Sequence, residues 1–315
     1  MDECRKKATP PDKDRMWEQV CRTLKHSRRR ELVRRWVVAA AIVMPLTVGI
    51  WFYGHHSNEV VPMSENVGKR HQVSLTLNDG RVLQVQQWSG DSVIQESGTG
   101  ILVSAGQQVI YQAENVQLEE EIFNTLSVPR STEYQVQLSD GTRVWLNSDS
   151  EIRYPVAFGK DRRTVFLSGE AYFEVAADSA RAFVVEVGDM EVEVYGTSFD
   201  VTTFYEGEVR TVLVEGSVGV REPGSGKVCR IVPGQMAVYD REDRSIAVKE
   251  TDVTLYTAWK EGLFRFEEVR LEDIMETLSR WYDVDVFFDD DALRHTLFTG
   301  DLKRYDNIGV HLRML

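Results

Sequence analysis

The chain has few cysteines and lacks the common signatures of an enzyme active site. Three cysteines occur in 315 residues, and only Cys229 follows the long apolar run described below, so no disulfide can form within that larger part. There is no GxSxG nucleophile elbow, no phosphate-binding Walker loop and no histidine or cysteine cluster at metal-ligand spacing. We therefore predict a protein that is not an enzyme and that binds no metal or cofactor.

Charge is absent from residues 36–53, WVVAAAIVMPLTVGIWFY. The run is just long enough to span a bilayer, because a helix needs roughly 17–25 residues to cross the hydrocarbon core. Lys and Arg are also absent from residues 54–68, whereas five arginines lie between positions 28 and 35. The positive-inside rule then predicts a single transmembrane helix at 36–53 in the inner membrane, with a cytoplasmic N-terminus and a large periplasmic part.

A cleaved signal peptide is the alternative interpretation of this segment. The basic region before the run is long, and the residues that follow it, GHHSNEV, contain no small-x-small cleavage pattern. We therefore favour a permanent anchor, followed by a linker at 54–70.

The two sides of the predicted helix differ in charge. Residues 1–35 carry a net charge of +6, and the rest of the chain carries −19, which disfavours direct binding to nucleic acid by the large part. Within the basic segment, a helix is predicted at 12–35, with Trp17, Val20, Cys21 and Leu24 on one face. That face suits either an anionic lipid surface or a cytoplasmic protein partner, and spacing alone does not separate the two.

Residues 71–255 alternate apolar and polar positions in short runs separated by turn residues, which predicts an all-β domain. Two similar segments, at 71–85 and 133–147, each read as strand, Asp-Gly turn and strand, because Asp-Gly favours the positive φ angles of tight hairpins. Hairpins stacked in a sandwich or a short solenoid are expected. Glycines that interrupt later strands, namely Gly169, Gly196 and Gly216, predict bulges or tight bends.

Residues 256–315 predict a small α/β domain. A strand is expected at 262–266 and another at 283–288, and between them a helical stripe is formed by Leu271, Ile274, Met275, Leu278 and Trp281. A third strand is predicted at 298–302. Because the sequence stops within a further predicted helix, we expect this domain to be truncated. The fold class is thus mainly β, with one transmembrane helix before the β domain and an α/β domain after it.

Four motifs in the β domain resemble the FecR family of transmembrane anti-sigma factors, in the form common in Bacteroides-type bacteria. They are NTLSVPRSTEYQVQLSDGTRVWLNSDSEIRYPVAF at 124–158, LSGEAYFEV at 167–175, VEVYGTSFDV at 192–201 and VLVEGSVGV at 212–220. The tail, at 256–288 and 298–308, resembles the C-terminal domain of such proteins. That domain is similar to the small signalling domains of secretins and TonB-dependent receptors.

The resemblance implies a signalling role between two membranes. The signalling domain of a TonB-dependent, SusC/FecA-like transporter would bind the C-terminal domain by strand addition at Leu263, Phe264 and Phe266. An extracytoplasmic-function sigma factor would be held in the cytoplasm by Trp17, Val20, Cys21 and Leu24, then released after envelope proteases act. Transcription of nutrient-uptake genes would follow.

Some relatives cleave themselves at a bond that matches Gly196–Thr197, where a strained bend would allow an N-to-O acyl shift by the Thr hydroxyl. The alternative at these positions is a glycine bulge followed by an ordinary strand threonine. For the whole protein, the competing functions are an anchored envelope enzyme, which the missing catalytic residues argue against, and a membrane-anchored periplasmic binding or structural protein without a sigma factor.

Overall fold

The computed structural model describes residues 72–85, 92–96, 99–104, 108–112, 121–222, 224 and 226–315. The predicted cytoplasmic segment, transmembrane helix and linker lie outside these residues. Within the described part of the chain, no helix is long and apolar enough to cross a membrane. Residues 68–315 belong to one compact unit.

The β domain consists of short strands. In chain order they are β1 Ser74–Thr76, β2 Val82–Gln84, β3 Ser92–Glu96, β4 Thr99–Ser104, β5 Gln108–Gln112, β6 Phe123–Val128, β7 Tyr134–Gln137, β8 Arg143–Leu146, β9 Ser150–Pro155, β10 Arg162–Ser168, β11 Glu170–Glu174, β12 Ala182–Val187, β13 Met190–Val194, β14 Ser198–Thr202, β15 Glu208–Glu215, β16 Val218–Arg221, β17 Val228–Ile231, β18 Gln235–Asp240 and β19 Ser245–Glu250.

These strands form two sheets that enclose one core. Sheet 1 has the order β17-β16-β13-β12-β10-β9-β6-β1-β2, and sheet 2 has the order β19-β18-β15-β14-β11-β8-β7-β5-β4-β3. Neighbouring strands are antiparallel except for the parallel pairs β10 with β12 and β5 with β7. One cluster of buried side chains takes Leu126 and Val185 from sheet 1 and Phe173 and Phe199 from sheet 2. The predicted all-β class is confirmed, and the arrangement is a sandwich of two sheets.

The predicted hairpins at 71–85 and 133–147 are present, but in different sheets. β1 pairs with β2 in sheet 1, and β7 pairs with β8 in sheet 2. In both turns only the glycine has a positive φ, 84° at Gly80 and 87° at Gly141. The preceding aspartate instead accepts a hydrogen bond from the amide two residues later, as Asp140 does from Thr142. The turns are therefore three-residue loops closed by a glycine bulge, which need only one left-handed residue.

The predicted bends at Gly169, Gly196 and Gly216 are corners at which the chain passes between the two sheets. Gly169 joins β10 to β11, Gly196 leads from β13 to β14, and Gly216 leads from β15 to β16. A Cβ atom at Gly169 would lie 2.7 Å from Cα of Ser150, so glycine is required there for space as well as for its φ of 95°. These corners place successive strands on opposite sides of one core.

After β19 come a linker and the small C-terminal domain. The linker contains the helix Thr254–Thr257 and the 3₁₀ helix Ala258–Glu261. The C-terminal domain contains β20 Leu263–Arg270, the helix Leu271–Tyr282, the 3₁₀ helix Asp291–His295, β21 Leu297–Lys303 and the helix Ile308–His311. β20 and β21 form an antiparallel pair, and the apolar face of the long helix packs on it through Ile274, Met275 and Leu278.

The strand predicted at 283–288 is wrong. Asp283 ends the long helix in the left-handed conformation, with φ of 49°, and the following residues form no strand ladder. Val286 and Phe288 pack instead against the core of the C-terminal domain. The alternating pattern is therefore satisfied by packing of an extended segment, without pairing to another strand.

Candidate functional site

The linker and the C-terminal domain cover the part of the outer face of sheet 2 that lies on β11, β14, β15 and β18, and we call this region the domain junction. Tyr172, Asp200, Val212 and Met236 are cross-strand neighbours in one row, and all four side chains are buried. Val253 and Tyr256 of the linker pack on the apolar end of this row. Sheet 2 therefore has a buried face on each side, one toward the sandwich core and one toward the junction.

Two linker residues bind the polar part of the same row. Trp259 is buried, and its Nε1 donates a hydrogen bond of 3.4 Å to Oδ2 of Asp200. The Lys260 ammonium lies 3.5 Å from Oε1 of Glu174 and 3.4 Å from the centroid of the Tyr172 ring. A cation over an aromatic face is attracted to it, so this lysine fixes the linker by both charge and stacking.

Arg304, which follows β21, connects all three parts of the junction. Its side chain is fully buried. Nη1 donates to the Trp259 carbonyl oxygen at 2.9 Å and lies 2.9 Å from Oε2 of Glu133, while Nη2 donates to Oδ1 of Asn147 at 2.7 Å. The guanidinium also lies 3.8 Å from the centroid of the Trp281 ring. Burial lowers the pKa of Arg304, and the neighbouring Glu133 acts in the opposite direction.

Further hydrogen bonds join the C-terminal domain to the loop between β6 and β7. The Tyr305 hydroxyl donates to Oε1 of Glu133 at 2.8 Å, and the Ser131 amide donates to the Arg280 carbonyl oxygen at 3.1 Å. Because these contacts come from separate segments of the C-terminal domain, they fix its orientation as well as its position.

Two carboxyl groups at the junction are held toward their neutral form. Burial, followed by the charge of Glu170, raises the pKa of Asp200 well above its ordinary value. Oδ1 of Asp200 has no hydrogen-bond partner within the described residues. Burial also raises the pKa of Glu170, whose Oε2 accepts a hydrogen bond of 2.5 Å from Nδ2 of Asn147. Desolvation outweighs the nearby cations at both groups.

A cavity of about 400 Å³ lies between the β domain and the C-terminal domain. Glu170, Phe204 and Arg210 line one side, and β20, Arg280 and Trp281 line the other. The lining of the cavity combines aromatic residues with four arginines and four acidic residues, so it can contact both apolar and charged groups of a ligand.

The predicted receptor-binding residues Leu263, Phe264 and Phe266 lie together on β20 and line the same cavity. Phe264 is only 5% exposed and belongs to the core of the C-terminal domain, whereas the other two are half-buried. Among the described strands β20 pairs only with β21. The Arg304 amide donates a hydrogen bond to the Gly262 carbonyl oxygen, so the backbone groups of Gly262 point toward β21. In an antiparallel pair these groups point to opposite edges at alternate residues, so those of Leu263 and Arg265 point to the unpaired edge of β20.

The predicted cleavage residues Gly196 and Thr197 lie at a sheet corner, away from the junction cavity. Gly196 has a φ of 148°, and the nearly buried Thr197 hydroxyl donates to the Ser217 carbonyl oxygen at 3.1 Å. A Cβ atom at Gly216 would lie 3.0 Å from the Gly196 carbonyl oxygen, so the two glycine corners pack directly on each other. The hydroxyl is thus confined next to the peptide bond that it would attack. The predicted sigma-factor contacts Trp17, Val20, Cys21 and Leu24 lie outside the described residues.

Sequence reasoning missed the residues that build the junction, namely Glu133, Asn147, Asp200, Trp259 and Arg304. One signal was available: β14 and β18 carry consecutive buried residues, SFDVT and QMAVYD, where a half-exposed strand would alternate. No comparable signal marks Arg304, since a single arginine after a strand is ordinarily exposed.

Replacement of Arg304 by alanine is predicted to weaken the docking of the C-terminal domain. The change removes hydrogen bonds to Trp259 and Asn147 in a buried site, and we expect a loss of about 2 kcal/mol or more in the free energy of unfolding. Denaturant unfolding of the full chain measures it. Arg81→Ala is the control, because its pair with Asp79 at the turn between β1 and β2 is exposed and screened by solvent. Equal effects of both changes would contradict this role for Arg304.

Asp200→Asn is predicted to stabilise the protein most at alkaline pH. Because the folded-state pKa of Asp200 is raised, its stabilising contribution is complete below the ordinary value of 3.8 and is lost as pH rises through the folded-state pKa. Asparagine keeps the acceptor for Trp259 and cannot ionise. Thermal melts at about pH 5 and about pH 9 should show a larger gain at the higher pH.

Asp301→Asn is the control, because the pKa of Asp301 is shifted in the direction opposite to that of Asp200. Arg265 lowers the pKa of Asp301, so that contribution is present above the ordinary value of 3.8 and is lost only as pH falls below it. Both melts lie above that range, so the effect of Asp301→Asn should be the same at the two pH values. A gain from Asp200→Asn that is equal at both pH values would contradict the assignment of a buried neutral carboxyl group.

If the chain cleaves itself at Gly196–Thr197, the hydroxyl of Thr197 is indispensable. Thr197→Ala should then abolish the two fragments of the full chain on a denaturing gel, whereas Thr197→Ser should retain them, because serine keeps the nucleophile. An unchanged fragment pattern in Thr197→Ala, or a single uncleaved band from the unaltered chain, would rule out this reaction.

Comparisons with known proteins agree with the described architecture. Residues 124–219 match the FecR protein family, and residues 263–315 match the FecR C-terminal domain. The first match covers the central strands of both sheets, and the second begins at the first residue of β20. No curated protein is significantly similar to the chain.

Solved structures with the same fold are known from Parabacteroides distasonis, where they are described as a proposed anti-sigma factor. One, at 1.65 Å resolution, is 28% identical, has a TM-score of 0.55, and matches over 60% of this chain and 89% of that chain. Another, at 2.50 Å resolution, is also 28% identical, with a TM-score of 0.53 over 61% of this chain and 89% of that chain. With both the FecR domain and the FecR C-terminal domain present in order, the chain belongs to the FecR family.

Proposed function

We propose that the protein is a transmembrane anti-sigma factor that relays a signal from an outer-membrane TonB-dependent transporter to a cytoplasmic extracytoplasmic-function sigma factor. Release of the sigma factor then controls the transcription of nutrient-uptake genes. The observation that carries the proposal is the presence of both FecR domains, together with the fold shared with the proposed anti-sigma factor of Parabacteroides distasonis.

The periplasmic step uses the unpaired edge of β20. The backbone groups of Leu263 and Arg265 are directed to this edge, and an extended segment of the transporter's signalling domain pairs with it by strand addition. Leu263 and Phe266 are half-buried and supply the apolar contact beside that edge. The buried Phe264 acts indirectly, by holding β20 on the long helix.

The domain junction transmits the contact to the β domain. Arg304 and the linker residues Trp259 and Lys260 join the C-terminal domain to sheet 2 through buried polar contacts. A partner that displaces β20 must break or reposition these contacts, since hydrogen bonds tolerate only small changes in distance and angle. Envelope proteases then act on the altered periplasmic part.

The inward step depends on residues 1–53. The apolar run at 36–53 anchors the protein in the inner membrane, with the basic segment in the cytoplasm and the large part in the periplasm. The face formed by Trp17, Val20, Cys21 and Leu24 binds the sigma factor. A single transmembrane helix transmits a mechanical displacement poorly. Regulated proteolysis is therefore the step that frees the cytoplasmic segment.

The second candidate is a membrane-anchored periplasmic binding protein without a sigma factor. The junction cavity of about 400 Å³ favours it, because a pocket of this size between two domains suits a small ligand. The cytoplasmic segment separates the two functions, since an anchor does not need a specific apolar face there.

Co-purification of the full chain with each extracytoplasmic-function sigma factor of its organism tests the proposal. We expect one of them to bind, and Trp17→Asp to abolish binding because it puts a charge into the apolar face. Gln19→Asp is the matched control, since it adds the same charge on the opposite side of the predicted helix. Failure of every sigma factor to bind would move the assignment to the anchored binding protein. Equal binding by both variants would contradict the role of the face formed by Trp17, Val20, Cys21 and Leu24.

A further inference from the structure

Arg280, on the long helix of the C-terminal domain, contributes a cation to the wall of the junction cavity. Its guanidinium lies 4.1 Å from the centroid of the Phe204 ring, and Nη2 donates one long hydrogen bond of 3.3 Å to Oγ1 of Thr277. No carboxylate lies within 4.0 Å of it among the described residues. A guanidinium has five N–H donors, so most of this group's donors remain available.

The other arginines that line the cavity are already paired. Arg210 donates through Nε and Nη2 to Oε2 of Glu208, at 3.0 and 2.9 Å. Arg265 pairs with Asp301, and Arg270 pairs with Asp273. Within the described part of the chain, Arg280 is thus the arginine of this cavity that lacks a carboxylate partner, although burial disfavours its charged form.

Glu170 is the acidic residue on the facing wall of the cavity, and it is not an ion-pair partner of Arg280. Its Oε2 is bound to Asn147, and it lies beyond ion-pair distance of Arg280. Burial favours the protonated form of a carboxyl group, whereas an arginine in a protein keeps its proton. Glu267 and Glu268 also line the cavity, but both are exposed. Around Arg280 the wall therefore has a permanent cation opposite an acid that burial holds toward its neutral form, and this combination favours an anion.

Part of the cavity wall is aromatic and can pack against an apolar body. Phe204, Tyr205, Tyr256 and Trp281 line it, and its volume of about 400 Å³ lies in the range of small-molecule sites. Planar carboxylates match the fork of a guanidinium through two parallel hydrogen bonds. We propose that the junction cavity binds a small carboxylate carried on an aromatic or apolar body, with Arg280 as the anchor of the carboxylate.

Calorimetric titration of the purified full chain with phenylacetate tests this site. Phenylacetamide has the same size and no charge, and phenethylamine has a similar body and the opposite charge. We expect phenylacetate to bind, and both analogues to bind about tenfold more weakly or less, because each lacks the charge-assisted contact to Arg280. Absence of phenylacetate binding, or equal binding of phenylacetamide, would overturn the proposal.

Variants identify the anchor. Arg280→Gln should weaken phenylacetate binding by about tenfold or more, Arg280→Lys should retain part of it, and Arg294→Gln, at an arginine outside the cavity that pairs with the exposed Asp291, should leave it unchanged. Glu170→Gln removes the facing acid and should bind as tightly as the unaltered chain or more tightly. Phenylacetate binding that persists in Arg280→Gln would show that Arg280 is not the anchor of the carboxylate. Phenethylamine binding that is lost in Glu170→Gln would show that the site prefers a cation.

Melting temperatures of these variants without ligand separate loss of the site from loss of the fold. If Arg280→Gln also unfolds or undocks the C-terminal domain, the comparison of Arg280→Lys with Glu170→Gln decides the question. Retained binding in both, with preference for phenylacetate over phenylacetamide, supports the proposal, and loss in Glu170→Gln contradicts it. The site does not depend on a sigma factor or a transporter, so its failure leaves the proposed function untouched.

Discussion

The Arg304 guanidinium has no exposed surface, and the arrangement of the C-terminal domain on sheet 2 depends on it. Burying a charge is costly unless it is paired and hydrogen-bonded, and here Glu133, Asn147 and the Trp259 carbonyl supply the partners. An apolar group of the same shape would often give similar stability. The particular contribution of Arg304 is therefore orientation, because its partners come from the β domain and the linker and each requires a defined direction.

The docking of the C-terminal domain explains why the outer face of sheet 2 carries desolvated polar residues, which an outer face exposed to solvent would not require. Asp200, Tyr172 and Glu170 face away from the core, where a solvated sheet would show ordinary polar residues. Linker residues contact Asp200 and Tyr172, and Glu170 lines the junction cavity. The desolvation of Asp200 and Glu170 keeps both acids toward their neutral form. The hydrogen bonds of such a junction must first offset the cost of burying its polar groups, so their main contribution is a defined orientation of the C-terminal domain.

The sequence predicted the class of fold and several of its local features for identifiable reasons. Period-two patterning, Asp-Gly turns and interrupting glycines depend on neighbouring residues, and the structure has hairpins and sheet corners at those positions. The helical stripe from Leu271 to Trp281 was likewise local. The strand predicted at 283–288 failed because an alternating segment can pack on a domain core without a pairing partner.

The domain junction could not be predicted from the sequence, because its residues are far apart along the chain. Arg304 and Asn147 are separated by 157 residues, and Trp259 and Asp200 by 59, so no pattern along the chain connects them. The residues of β20 that were predicted to bind a receptor line the junction cavity, which the sequence did not indicate, and Phe264 is a core residue, because a strand in a small domain must bury one face.

Native-state hydrogen exchange of the full chain at increasing denaturant tests most directly whether the junction makes one unit of the β domain and the C-terminal domain. If it does, amides in the β20–β21 pair and in the central strands of sheet 2 should lose protection in the same denaturant range, as members of one cooperative unit. Loss of protection in β20 and β21 well before sheet 2 opens would show that the C-terminal domain is only loosely attached and would contradict the account.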